Sequence, residues 1–589
     1  MAKSDVTPAG NAMRERIGKG IWTRAVRYLS EREAQYLIAI LAFGLVLSLL
    51  LIKGPSFYGD DAAYLQYVPS ILGGTFGESI NIFSIRLMAD FPLAIFIGIF
   101  GYTNLGAGAW SLVSYLVTMV AVYLMGRELY NGRAGLFSAL LFAFYPLVLK
   151  YNTTPEPMLP MAMFVSLSAL FFVYGRKRGS LYSYILSGAL AFLGTLANPL
   201  AYLYVLFYAV YIVLDAVYGS LKRHRLEFDF RALGVFLGLL TAIALMGYVN
   251  LLIAPSGNPF YEIGLTNNYY SAAGGPDEIF YTNPSLTFYL SGYFPYDFSD
   301  NVISPLQHFN LPGVANGIGS ISNAMFSMTD VNLNEVGMFG YATVLAGLYL
   351  LLKRDRRSYF ALSIAAFVVA YMEFGSMSLT HYFPIYKLMR FTMLAAPMLM
   401  LVIGIACESF LSGGRAASRG RLPEGRIIRA LVIIAAFAAL LATSSVLDWF
   451  NYAYNNNSMI FVAAMANSVR QANLQGANFY APGEISYYLP FYLGYPGGLN
   501  VGQYDNGAYG GRFMPTCASI PNDTYLVIPS TAVLQYINGY NLWNVNETWA
   551  YTPSECGSLS LYANLYANAT LASLNPISPD FTGNIYYKQ

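Results

Sequence analysis

Long apolar runs, interrupted by short polar or basic stretches, fill the first three quarters of the chain. A helix that crosses a bilayer needs about 20 mostly apolar residues. Runs of this kind lie at 36–52, 111–126, 134–149, 158–174, 183–197, 201–217, 232–253, 337–352, 358–376, 391–411 and 430–446. They predict eleven membrane-spanning helices. Ahead of the first, Arg14, Arg16, Lys19, Arg24, Arg27 and Arg32 mark a basic amphipathic stretch within 1–35. It is too long for a signal peptide and lacks a small-residue cleavage site. It reads as a cytoplasmic helix lying on the inner leaflet.

Three polar regions are too large to be connectors. The first, 53–110, contains an apolar stretch from Phe91 to Gly101, too short to cross and better read as an interfacial helix. The second, 254–336, is rich in Asn, Tyr, Gly and Pro. The third, 447–589, has the size of a domain, with a helix expected over 459–474. Strand-like runs follow at Asn478–Tyr480, Tyr525–Ile528 and Leu559–Tyr566, separated by Gly/Pro turns. The expected fold is a polytopic α-helical membrane module, 36–446, followed by a small extracytoplasmic α/β domain. No internal repeat or inverted symmetry of the transporter kind is visible.

Composition agrees. Of 589 residues, 56% are hydrophobic and 11% charged, where soluble proteins carry about 25% charged residues. A soluble enzyme and a disordered chain are both excluded. A net charge of +2 without long basic runs argues against a nucleic-acid partner. The 50 tyrosines suit side chains with one apolar and one wet end.

Charge also fixes sidedness. With the N-terminus inside, 25 of the 33 Lys+Arg fall in the inner segments 1–35, 127–133, 175–182, 218–231, 353–357 and 412–429. The outer segments hold the other eight, with 19 acids. The positive-inside rule requires this orientation. The protein is expected to be a multi-pass cell-membrane protein with its C-terminal domain outside. The Tyr-, Asn- and Gly-rich outer regions suggest an archaeal or other prokaryotic source.

Candidate chemistry clusters on the outer side. Tyr58-Gly59-Asp60-Asp61-Ala62-Ala63-Tyr64 places two carboxylates after the first span. One Asp could cap a helix, leaving the other for function. Glu156, between Pro155 and Pro157, sits in an outer turn and could equally serve the dipole of the next helix. Arg86, Lys150, Lys387 and Arg390 lie close to the outer surface, where cations are scarce. Snorkelling explains one such residue; several suggest an anion to bind. His381 and Glu373 belong with them, an acid within a span being a functional candidate. With three His in the chain, any metal would need carboxylate and water ligands, as Mg or Mn does. Cys517 and Cys556 are disulfide candidates, and Cys407 lies in a span as packing. Glycosylation sequons begin at Asn456, Asn522, Asn546 and Asn568, and at Asn152 in another outer loop, although chance alone yields several such matches.

Taken in order, these features resemble the GT-C superfamily of polyprenyl-phosphate-dependent glycosyltransferases, especially the protein O-mannosyltransferase and aminoarabinose transferase branch. The resemblance rests on the acidic pair before Ala62-Ala63-Tyr64, the interfacial stretch Phe91–Gly101, Gly126-Arg127-Glu128-Leu129-Tyr130-Asn131-Gly132-Arg133, the turn at Glu156, and Arg390-Phe391-Thr392-Met393-Leu394-Ala395-Ala396-Pro397. It is clearest over 36–215. The family's His-Pro-Pro is replaced by Met88-Ala89-Asp90-Phe91-Pro92, and the Arg390 segment keeps only the second proline. The Trp-Trp-Asp signature of oligosaccharyltransferases is absent, which disfavours transfer of a preassembled oligosaccharide to Asn.

The resemblance implies a polyprenyl-phosphate sugar, such as dolichyl-phosphate-mannose, as donor. A protein, lipid or glycan hydroxyl would be the acceptor, with inversion at the anomeric carbon. Asp60 would act as base or acceptor-positioning group, Asp61 would assist, and Glu156 would shape the acceptor or metal site. Arg390 would bind phosphate, with Arg86, Lys387 and His381 as further candidates. The competing reading is a transporter or flippase for a lipid-linked or small polar substrate. It would place polar groups on broken helices at the midplane, whereas the span middles here are almost purely apolar.

Overall fold

The computed structural model describes residues 32–50, 60–76, 83–223, 230–253, 257–272, 338–376, 389–412, 424–443, 457–497, 499–504, 522–529, 559–566 and 582–588, with Ile52, Gly54, Pro55, Tyr382 and Ile385. Helix α1 (Arg32–Leu50) is followed by two short helices, α2 (Asp60–Leu65) and α3 (Val68–Gly73), and by α4 (Leu87–Phe100). Then come α5 (Asn104–Leu129), α6 (Gly132–Ala143), α7 (Pro146–Tyr151) and α8 (Met158–Arg178). After these run α9 (Leu181–Ala197), α10 (Tyr202–Arg223), α11 (Phe230–Ile253) and α12 (Tyr261–Ala272). The later bundle helices are α13 (Met338–Leu352), α14 (Tyr359–Phe374), α15 (Ala396–Ser412) and α16 (Glu424–Thr443).

A helix lies within each of the eleven predicted spans, and two of those spans are divided. The run 134–149 breaks because Pro146 drives Tyr145 out of the helical region, to ψ 120°. The run 391–411 opens with a 3₁₀ helix, Met389–Leu394, before α15 begins. Among the described residues, four helices are long and apolar enough to cross a bilayer by length and composition: α1, α5, α8 and residues Leu233–Leu252 of α11. Several others are apolar but shorter.

Local signals set the ends. Thr103 and Asn131 cap α5 and α6 by accepting the amides of Gly106 and Ala134. Gly179, at φ 64°, closes α8 in the left-handed conformation that a Cβ would disfavour. Pro92 inside α4 cannot donate to the carbonyl of Met88, and that freed oxygen takes the Trp110 indole N–H at 2.9 Å instead. The break therefore ties α4 to α5.

One core, built on α5, α6, α8, α10, α14 and α15, runs through the bundle and holds buried Tyr, Phe and Met side chains from all of them. Its polar content is larger than the sequence suggests. Ser111, Ser114, Thr118, Ser138, Ser168 and Ser187 are buried; Thr118 and Ser138 bond back to the carbonyls of Ser114 and Ala134 one turn earlier, while Ser168 and Ser187 bond each other's carbonyls across two helices. On the outside, Phe43 and Val46 of α1, Phe236 and Ile243 of α11 and Leu345 and Leu352 of α13 are exposed. A water-facing surface would not tolerate such belts; the bundle is membrane-embedded.

The C-terminal unit is α/β. Helix α17 (Asn457–Gln471) precedes β1 (Asn478–Pro482), α18 (Gly483–Leu493) and β2 (Asn500–Tyr504). Strands β3 (Thr524–Pro529), β4 (Leu559–Tyr566) and β5 (Thr582–Lys588) complete a sheet of order β2-β1-β3-β5-β4. β1 runs parallel to β2 and β3, with Phe479 opposite Val501 and Tyr525. β5 pairs antiparallel with β3 and β4. Parallel pairing needs a crossover, which α18 supplies between β1 and β2. A second core joins this unit to the bundle through α2, α3 and α4. The end of the bundle bearing that junction is the domain end. Basic side chains mark the other, where Lys177 and Arg178 at the close of α8 pair with Glu128 of α5.

Candidate active site

The domain end gathers most of the described polar side chains singled out from the sequence. The turn 152–157 enters α8, and Pro155 and Pro157 keep it from joining that helix early. Helix α5 holds it in place. Gly108 lies so close that a Cβ there would clash with the Thr153 carbonyl oxygen. One turn along, Ser111 Oγ donates to the Thr154 carbonyl at 2.5 Å. The amide of Gly54 also donates to Thr153 O, at 3.0 Å. Asn152 is buried, its Nδ2 donating to Ser48 Oγ at 2.7 Å. The Asn152 match, noted in an outer loop, is thus packed inside the protein, with its amide engaged by Ser48.

Gly108→Ala tests this seat. The methyl must push the Thr153 backbone off α5, and overpacking of this kind costs about 1–3 kcal/mol. A lower unfolding temperature in detergent is expected, whereas alanine at an open helical site would raise it.

Glu156 is buried at the centre of the turn, and Arg390 Nη1 lies 3.6 Å from its Oε1. Arg390 rides on the 3₁₀ helix Met389–Leu394, whose last carbonyl accepts from Tyr204 of α10 at 3.0 Å. The guanidinium also stands 5.6 Å from the Phe391 ring centre. Two residues 234 apart in sequence thus form a buried ion pair. Lys150 is buried nearby in sequence on α7, 5.9 Å from the Tyr151 ring.

The acidic pair opens α2. Asp61 is fully buried, its Oδ1 accepting the Ala62 amide at 3.0 Å and the Tyr488 hydroxyl at 2.5 Å. Three residues on, Tyr64 accepts a hydrogen bond from Arg86, whose guanidinium stacks on the rings of Tyr64 and Phe83. The side chain of Asp60 and residues His381, Lys387, Cys517, Cys556, Asn456, Asn546 and Asn568 lie outside the described residues. Asn522 is exposed just before β3, Glu373 is half-buried near the end of α14, and Cys407 packs in α15 as a free thiol.

Sequence reasoning missed three members. Asp90 of α4 is buried near Arg86, and neither carboxylate oxygen has a hydrogen-bond partner among the described residues. Burial holds its pKa well above the carboxylate range, although Arg86 opposes this. An acid on an apolar helix was the available signal. Glu262 of α12 is buried against Tyr202, whose hydroxyl lies 3.4 Å from its Oε2, and Asn250 accepts its amide at 3.1 Å. Nothing in its loop sequence distinguishes it, and Tyr488 is one tyrosine among 50.

Glu262 has a consequence for stability. Burial pushes its pKa from 4.5 up to about 8, with Tyr202 and Arg86 opposing. The native state therefore holds a proton that the unfolded state releases from about pH 4.5 upward. This group's contribution to stability falls as pH rises from 4.5 to about 8 and levels off above. Thermal unfolding between pH 4.5 and 9 should show Glu262→Gln losing less stability across that window than the wild type. Parallel curves would contradict the assignment.

The site thus presents a guanidinium facing a buried carboxylate, a second guanidinium between aromatic rings, and an acidic pair on a short helix. This is equipment for an anionic group and a proton. Among the described residues no three His, Cys, Asp or Glu side chains gather as a metal set would.

Residues 86–246 match the family model described as dolichyl-phosphate-mannose-protein mannosyltransferase. No curated protein matches the chain. Among solved structures, the Archaeoglobus fulgidus oligosaccharyltransferase tethered to an acceptor peptide is 11% identical, with a TM-score of 0.50 over 87% of this chain and 72% of that one. The same enzyme with zinc and sulfate gives 12% and 0.48, and this chain spans 62% of its length while 79% of this chain is covered. Apo ArnT from Cupriavidus metallidurans gives 14% and 0.49, covering 94% of this chain and 98% of that one. Residues 86–246 are thus similar to the dolichyl-phosphate-mannose-protein mannosyltransferase family, and the polytopic helical bundle carrying a small α/β unit shares its fold with the Archaeoglobus fulgidus oligosaccharyltransferase.

Proposed function

We propose that the protein transfers a sugar from a polyprenyl-phosphate donor to a hydroxyl acceptor at the outer face of the cell membrane, with the N-terminus in the cytoplasm. The observation that carries this reading is the buried Glu156–Arg390 pair at the domain end, whose guanidinium is suited to the phosphate of a lipid donor. The family model matching 86–246 is itself described by a dolichyl-phosphate sugar. The concentration of basic residues at the opposite end supports the orientation.

The acceptor hydroxyl oxygen attacks the anomeric carbon, the bond from that carbon to the phosphate oxygen breaks, and lipid phosphate leaves with the electron pair. The hydroxyl proton passes to Asp60, and configuration inverts. Arg390 presents a planar fork to the departing phosphate and stays charged throughout. Arg86, Lys387 and His381 are further phosphate contacts. Glu156 orients Arg390 and borders the acceptor. Its carboxylate already faces a guanidinium, a poor setting for a divalent cation, and no step here runs through one.

The test is transfer by the purified protein in sealed proteoliposomes, given radiolabelled polyprenyl-phosphate sugars and a membrane extract as acceptor source. Label should move to a protein, lipid or glycan fraction. Movement of intact donor across the bilayer without transfer would establish the transporter reading instead.

A further inference from the structure

One described polar contact of the acidic pair crosses from the bundle to the C-terminal unit. We infer that Tyr488, contributed by that unit, is a positioning residue for the acidic pair: its hydroxyl donates to Asp61 and fixes α2. The site is incomplete without the C-terminal unit. This rests on the reading of the pair as part of a transferase site.

Three observations carry it. Asp61 is fully buried and Tyr488 is 1% exposed, so water does not compete for the bond. A carboxylate at such depth needs donors. Oδ1 receives two: its own helix's Ala62 amide and the Tyr488 hydroxyl. The surroundings form a docking face. Ile485, Tyr488, Leu489 and Tyr492 follow the spacing of one helical stripe on α18 and share a core with Ala62, Tyr64 and Leu65 of α2. Finally, one turn beyond Tyr488, the Tyr492 hydroxyl donates to Asn104 Oδ1 at 2.9 Å, at the start of α5. Arg470 of α17 bonds the Tyr492 carbonyl, so α17 braces α18 from behind.

The two tyrosine contacts differ in consequence. Tyr492 ties the unit to a bundle helix, whereas Tyr488 ties it to the residue beside the proposed base. Asp60 opens α2 and Asp61 follows it, so motion at Asp61 is motion at Asp60. Tyr64, on the same short helix, is held by Arg86. Helix α2 is therefore fastened to the C-terminal unit at one point and to the phosphate-side guanidinium at another.

Tyr488→Phe removes one oxygen and keeps the ring. The expected result is a fall in kcat of about tenfold or more with donor KM unchanged, the pattern of lost alignment rather than lost binding. The double variant Tyr488→Phe/Asp61→Ala should be no worse than the poorer single one, because both remove the same contact. Tyr492→Phe is the control: it lowers the unfolding temperature while kcat holds. A readout independent of activity follows the α2 backbone. Amide hydrogen exchange over residues 60–66 should rise at least tenfold in Tyr488→Phe and stay unchanged in Tyr492→Phe. Unchanged exchange and unchanged kcat in Tyr488→Phe would overturn the assignment. If the wild type transfers no sugar from any donor, the transferase reading falls, and exchange alone still decides whether Tyr488 holds α2.

Discussion

Asp60→Asn is expected to lower transfer from a polyprenyl-phosphate sugar by about 10²–10⁴-fold, the range that a positioned general base contributes. Asparagine fills the same space but cannot take the proton, so kcat should fall while donor binding is kept. Asp61→Asn makes the comparison sharp. Its side-chain oxygen can still accept from Ala62 and from Tyr488, so position is retained at the cost of a charge-assisted bond. Its loss should be clearly the smaller of the two. Equal losses, or full activity in Asp60→Asn, would remove Asp60 from the role of base. Single-turnover transfer in nanodiscs, with donor binding measured separately, provides the comparison.

The second large effect is at Arg390. Arg390→Ala removes the proposed phosphate contact and strands Glu156, whose carboxylate is buried at 1% side-chain exposure. Breaking a buried pair by deleting one partner costs about 3–5 kcal/mol, and losing a preorganised electrostatic contact costs roughly 10²–10³ in kcat. Stability and activity should separate in the double variant Arg390→Ala/Glu156→Gln. Neutralising the stranded carboxylate restores much of the unfolding temperature and none of the transfer. Arg390→Lys keeps the charge and loses the fork, and intermediate activity is expected. Recovery of transfer in the double variant would make Arg390 a structural residue.

The bundle was largely legible because membrane helices advertise themselves: a lipid-facing helix must be apolar over its length, and nothing else in a sequence looks like that. Pro146 shows where this signal ends. The run 134–149 is continuous in hydropathy, yet one residue without an amide divides it into α6 and α7. In the C-terminal unit, the strand-like runs at 478–480, 525–528 and 559–566 fall within β1, β3 and β4, while β2 and β5 were missed. Asn500–Tyr504 and Thr582–Lys588 each contain Gly and polar residues, which blunt a strand signal. Helix α18 carries Pro490 and reads as a turn until β1 and β2 are seen to run parallel and require it.

The site divides along a similar line. Glu156 and Arg390 were nameable one at a time, as an acid between prolines and a cation on the cation-poor side. Their pairing depends on α8 and the 3₁₀ helix meeting through the fold, and no local pattern encodes it. Asp90 was noticed only as a departure from a motif. Its burial beside Arg86, with Glu262 arriving from a distant loop within reach of the same guanidinium, is a tertiary fact.

The amide of Gly54 reaches the Thr153 carbonyl, the same oxygen that presses against Gly108. Gly54 lies six residues before Asp60 and Thr153 three before Glu156, so one carbonyl serves as a shared abutment for the two acidic segments. A substitution that shifts either segment changes the footing of the other. Across related sequences, residues 54, 108 and 153 should therefore drift together or not at all. Laboratory evolution toward a bulkier acceptor should find its permissive changes at this abutment before it finds them at the acids themselves.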